Sequence, residues 1–120
     1  MTCILIADPD PASRKALSLL LTRKLGAEVI IEATEAESLP TLEKSTHPDA
    51  LLLDDDLPGL SLPGTCTQLQ REFPLLKIVL LSLDETAHEK AIPCAIRFIH
   101  KGACLDETLS LLQTILGETK

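Results

Sequence analysis

Residues 50–59 read ALLLDDDLPG, and the fold turns on how this stretch is read. Four apolar residues run into three consecutive aspartates, Asp54, Asp55 and Asp56, before Pro58 and Gly59 impose a turn. An apolar run of this length, closed by turn residues, is the pattern of a strand buried on both faces of a parallel sheet. Ionised carboxylates are costly in such an interior, so the aspartates are expected where the strand emerges. In an open parallel sheet that carboxyl edge is where ligands bind. Three acids crowded there repel one another unless a cation or a positive side chain answers them. This strand end is therefore the candidate site, and the rest of the chain is expected to supply its partners.

On either side of it, apolar strands alternate with helical patterns. Cys3–Ala7 (CILIA) is an expected strand, followed by Asp8-Pro9-Asp10-Pro11. Asp10 before Pro11 is a helix start, a capping side chain ahead of a proline at the first helical position. Leu17, Leu20, Leu21 and Leu25 continue at helical spacing, and Gly26 ends that helix. Residues 28–33 (EVIIEA) read as a second strand, and Thr34 with Glu37 resembles a capping box for a second helix containing Pro40. His47-Pro48 breaks the chain before the central strand. After it come a helix over about 65–73, stopped by Pro74, and a strand over 77–81 (KIVLL) that delivers Ser82. A short helix over 84–91 is interrupted by Pro93, Arg97–His100 is a fifth strand, and a last helix carries Leu105, Leu109, Leu112 and Leu116 on one face. Asp106 and Glu107 suit the positive end of that helix. Five βα units with right-handed crossovers give an α/β domain, a parallel sheet with helices on both faces.

The 120 residues are enough for one domain, 1–120, with a single real core. At 45% hydrophobic residues and with only two aromatics, that core is aliphatic. A formal charge of -7 argues against nucleic acid as the direct partner, since phosphate backbones need clustered Lys and Arg. It suits a metal cation or a basic face on another protein. No apolar run approaches the roughly 20 residues of a membrane span, and the N-terminus lacks the basic flank and cleavage site of a signal peptide. Cys3, Cys66, Cys94 and Cys104 form no CxxC pair, and with His47, His88 and His100 they make no zinc spacing. Reduced cysteines acting as small apolar side chains in a cytoplasmic protein are expected, with His88 and His100 at the surface.

If the strands are parallel, their carboxyl ends gather Asp8, Asp54, Ser82 and Lys101. Asp54 is placed to act as a carboxylate nucleophile toward a phosphoryl group. Asp8 and a neighbour could hold Mg²⁺, which prefers hard oxygen ligands. Lys101 would neutralise charge on the phosphoryl oxygens, and the Ser82 hydroxyl could donate to one of them.

Along essentially its whole length the chain resembles the receiver domain of two-component response regulators. The residues carrying the likeness are ILIAD ending at Asp8, HPDALLLDDDLPG around Asp54, KIVLLS ending at Ser82 and FIHKGA around Lys101. The resemblance implies a flavodoxin-like (βα)5 fold with strand order 2-1-3-4-5. It implies Asp54 as phosphoacceptor, Ser82 as the switch hydroxyl, Phe98 as the switch aromatic and Lys101 as the conserved-type lysine of the family's motif. It also implies Mg²⁺ held by Asp8, Asp54 and the Asp56 backbone carbonyl, and a sensor histidine kinase or phosphotransfer protein as donor; a homodimer is compatible with it. A phosphoryl relay of this kind involves at most self-phosphorylation and auto-dephosphorylation at Asp54, not turnover of a separate substrate.

Two departures stand out. Receivers usually carry two adjacent acids after the first strand, and here the second place is Pro9. Asp10 is the substitute ligand at hand, with helix capping as its ordinary role. The segment between Ser82 and Lys101 is shorter than usual and contains Pro93. The alternative is thus a degenerate receiver that binds proteins without phosphorylation. A phosphatase of the haloacid dehalogenase type, with Asp8-Pro9-Asp10 as its DxD motif, would leave residues 54–56 unexplained. A flavodoxin would need a Trp or Tyr to stack on its flavin, and both are absent.

Overall fold

Alternate residues of each central strand face opposite ways, and both faces are apolar. Leu5, Ala7, Leu51, Leu53, Ile78 and Leu80 share one buried cluster, whereas Ile4, Ile6, Leu52, Val79, Leu81 and Ile99 share the other. This period of two on two buried faces is what a sheet between two helical layers requires. The computed structural model describes residues 2–61, 64–84 and 97–117.

The strands are β1 (Cys3–Ala7), β2 (Val29–Ala33), β3 (Ala50–Asp54), β4 (Lys77–Ser82) and β5 (Arg97–His100). All four pairings are parallel and the order is β2-β1-β3-β4-β5. Helices α1 (Pro11–Lys24) and α4 (Leu105–Gly117) cover one face through Leu20, Leu21, Leu112 and Ile115. Helices α2 (Leu39–Thr46) and α3 (Gly64–Glu72) cover the other through Leu39, Cys66 and Leu69. The expected flavodoxin-like α/β fold is therefore the observed one.

Local expectations hold where a single residue dictates geometry. The Asp10 side chain accepts from the Ala12 N–H at 3.1 Å, with Pro11 at the first helical position. Gly26 takes φ +70 after the helix, a conformation that an L side chain rarely adopts. Where a tertiary contact intervenes, the local signal fails. The Thr34–Glu37 capping box is absent: a short 3₁₀ turn, Ala36–Ser38, precedes α2, and its cap residue Glu35 makes no side-chain capping bond. The turn begins one residue later than that box requires, with Glu35 and not Thr34 at its cap, and the Ala36 N–H at its first position donates to the Pro58 carbonyl at 2.8 Å. The second strand begins at Val29, one residue later than expected, and the N–H groups of Glu28 and Val29 both bond the Thr2 carbonyl. On α4, Leu109, Leu112 and Leu116 face the core and Ile115 joins them. The expected helix over 84–91 with its Pro93 break, Cys94 and His88 lie essentially outside the described residues, as does the Leu105 side chain.

Candidate functional site

The strand order reverses between β1 and β3, so the chain leaves their carboxyl ends in opposite directions and a crevice opens there. Asp8 follows β1, Asp54 ends β3, Ser82 ends β4 and Lys101 follows β5. Asp8, Asp54 and Ser82 are almost wholly shielded, at 0%, 2% and 0% exposure. This corrects the expectation that Asp54 sits where its strand emerges. The chain reaches solvent one residue later, with Asp55 half-buried and Asp56 exposed.

Burying two carboxylates is tolerable because a cation lies between them. The Lys101 ammonium contacts Asp54 Oδ2 and lies 3.1 Å from Asp8 Oδ2. The other oxygen of each acid accepts a backbone N–H two residues on: Asp10 N to Asp8 Oδ1 at 2.8 Å, and Asp56 N to Asp54 Oδ1 at 2.7 Å. Such Asx turns hold both carboxylates at fixed angles. Burial pushes the Asp8 carboxyl up, but bonds from the Ser13 hydroxyl, the Asp10 N–H and Lys101, with the lysine's charge, outweigh it and hold the group below its usual range. Burial likewise pulls the Lys101 ammonium down, yet the bonds and charges of Asp54 and Asp8 leave it raised. Both partners are thus ionised at neutral pH. Arg14 closes the β1 side, donating to the Asp8 carbonyl at 2.7 Å and pairing with Glu32 at 3.1 Å.

Ser82 is a neighbour of this pair and is itself engaged. Its Oγ donates to Asp55 Oδ2 at 2.6 Å and accepts the Asp84 N–H at 2.9 Å. Phe98 lies on β5, half-buried against the cluster that contains Leu80. Asp10 stays on its helix cap. Asp54, Asp55 and Asp56 each offer a carboxylate oxygen, and these atoms lie within 4.8 Å of one another.

Two residues that the sequence left without a role matter here. Asp55 was one of three identical letters, yet side chains alternate along an extended chain, so consecutive aspartates cannot all point the same way. That alternation was the available signal. His100, expected at the surface, is half-buried: its Nδ1 accepts the Gly102 N–H and its Nε2 donates to the Leu83 carbonyl, both at 3.0 Å. It ties the turn carrying Lys101 to the end of β4. Cys3 and Cys66 are buried and in no disulfide, as expected of reduced cysteines, whereas Cys104 is exposed.

A family model described as the response regulator receiver domain matches residues 4–113. The chain belongs to this family. Among curated relatives, the nitrate/nitrite response regulator protein NarP of Escherichia coli is 28% identical over 72% of this chain. The positive alginate biosynthesis regulatory protein of Pseudomonas aeruginosa is 33% identical over 82%. The chain spans 40% of the length of each of these regulators. Among solved structures, the response regulatory domain of mrkE from Klebsiella pneumoniae superposes with a TM-score of 0.88 at 15% identity, covering 98% of both chains. The signal receiver domain of an HD domain-containing protein from Pseudomonas fluorescens gives 0.86 at 23% identity, covering 98% of this chain and 96% of that one. These likenesses identify a receiver domain of two-component response regulators. Among the described residues of this receiver, no helix is long and apolar enough to cross a membrane.

Proposed function

We propose that this receiver accepts a phosphoryl group on Asp54 from a phosphohistidine, carried by a sensor histidine kinase or a phosphotransfer protein, and relays it as a conformational change. The observation that carries this reading is the single ammonium of Lys101 set against both Asp8 and Asp54. An Asp54 carboxylate oxygen attacks phosphorus as the P–N bond breaks. The departing imidazole keeps the bonding pair and takes up a proton, and an acyl phosphate remains on Asp54. Lys101 is at hand to offset charge on the phosphoryl oxygens, and the Ser82 hydroxyl is the donor for one of them. Phe98, between β5 and the core face, is the aromatic through which the change passes. The chemistry is self-phosphorylation and its reversal by water, in a cytoplasmic setting.

The donor set fits Mg²⁺: hard carboxylate oxygens crowd at residues 54–56, and Asp8 lies against the same lysine. Asp8, Asp54 and the Asp56 backbone carbonyl would hold the ion, which supplies positive charge to the transferring group when bound. Asp10 would join them only by leaving its helix cap.

Incubation with Mg²⁺ and acetyl phosphate, read by intact mass, tests the proposal. A phosphoryl mass gain is expected, lost in Asp54→Asn and after Mg²⁺ chelation. No gain on the unmodified chain would overturn it in favour of a phosphorylation-independent protein-interaction module. Pro9, together with an Asp10 side chain committed to α1, favours that second reading.

A further inference from the structure

A serine hydroxyl has one proton to give. In this receiver Ser82 gives it to Asp55 Oδ2 at 2.6 Å, while its lone pairs receive the Asp84 N–H at 2.9 Å. Ser82 is fully shielded from solvent, so water does not compete for that proton. Asp55 is held beside it by backbone geometry, since its own N–H extends the β3–β4 ladder to the Leu81 carbonyl at 3.1 Å. Hydroxyl-to-carboxylate bonds are short and roughly twice as strong as neutral ones. A phosphoryl oxygen on Asp54 can therefore receive the Ser82 proton only by taking it from the adjacent carboxylate.

We propose that Asp55 is a positioning residue that holds the Ser82 hydroxyl in reserve, so that Asp55 and a phosphoryl group on Asp54 compete for one proton. The inference rests on Asp54 being the phosphoacceptor. Asp55 keeps the resting state in place, and its carboxylate must surrender Ser82 before the signal passes to β4. The asymmetry between neighbours follows from alternation along the strand end: Asp54 turns to Lys101, and Asp55 turns to Ser82.

The test is a double-mutant cycle on affinity for beryllofluoride in the presence of Mg²⁺. Binding is followed by ¹⁹F NMR, because the chain has no Trp or Tyr to report by fluorescence. Asp55→Asn keeps the shape, weakens the competing acceptor and removes its charge. It is expected to tighten beryllofluoride binding about five- to tenfold, the difference between a charged and a neutral hydrogen bond. In a Ser82→Ala background most of that gain disappears, and in Ser82→Thr, which restores a hydroxyl, it returns. An equal gain with and without the hydroxyl would overturn the proposal, because Asp55 would then act through charge alone. Tight binding to the unmodified chain with no gain in Asp55→Asn would overturn it as well, leaving the phosphoacceptor reading intact. Absence of binding to the unmodified chain and to every variant would overturn both.

Discussion

Lys101 Nζ lies 3.1 Å from Asp8 Oδ2 although 93 positions separate them in the chain. The contact spans the sheet edge from the end of β5 to the end of β1, and Asp54 sits on the same ammonium. Three charges in one shielded place make the site electrostatically interdependent.

Lys101→Met is expected to lower stability by about 2–4 kcal/mol, since it leaves two buried carboxylates without their cation. Urea denaturation measures the loss, and Mg²⁺ should restore more stability to the variant than to the unmodified chain. The pH dependence follows from the two shifts. Asp8 is held below its ordinary 3.8, so its contribution is present above that value and is lost as pH falls through the lowered one. Lys101 is raised above 10.5, so its contribution is full below that value and fades as pH rises through the raised one.

Glu43 on α2 is 1% exposed, and among the described residues its Oε1 has no hydrogen-bond partner. Burial pushes its carboxyl from 4.5 up to about 7. Between those values the unfolded chain has released the proton and the folded chain still holds it, so stability falls with rising pH and levels off above about 7. The shift corresponds to about 3 kcal/mol across that window. Glu43→Gln should flatten the decline, with a gain of about 1–2 kcal/mol at pH 8 after the cost of burying an amide. An unchanged slope in urea titrations at several pH values would exclude the assignment.

Gly102→Ala would place a Cβ 2.8 Å from His100 Cε1. The imidazole cannot simply swing aside, because both its nitrogens are bonded, to the Gly102 N–H and the Leu83 carbonyl. A loss of about 1–3 kcal/mol is expected. The accompanying shifts in amide resonances should spread to Ser82, whose carbonyl accepts the Lys101 N–H at 2.8 Å.

Asp10→Ala separates capping from metal binding. Loss of the bond to the Ala12 N–H should cost about 1 kcal/mol of thermal stability. Mg²⁺ affinity, measured by calorimetry, should stay within about twofold, on the reasoning that the cap keeps this carboxylate off the ion. A tenfold or greater weakening would show that Asp10 takes the place Pro9 leaves empty.

Much of this architecture was legible because the determining forces are local or periodic. The run ALLLD could bury both faces only in a parallel sheet, and Asp10-Pro11 and Gly26 carried their geometry in their own backbone preferences. The candidate residues Asp8, Asp54 and Ser82 were legible too, since each stands at a strand end where a polar side chain interrupts apolar sequence, whereas Lys101 follows the polar His100 and was legible through the FIHKGA motif.

What the chain order could not convey is which atom meets which. In place of the capping box at Thr34, the turn starts at Ala36, whose N–H is held by the carbonyl of Pro58, far along the chain. Asp54, Asp55 and Asp56 are one letter repeated, yet one is buried on Lys101, one holds Ser82 and one faces solvent. Periodic burial is written into a single strand and needs no partner to be read. The division of labour among three identical acids depends on side chains from β4 and beyond β5, and those are brought alongside only when the sheet closes.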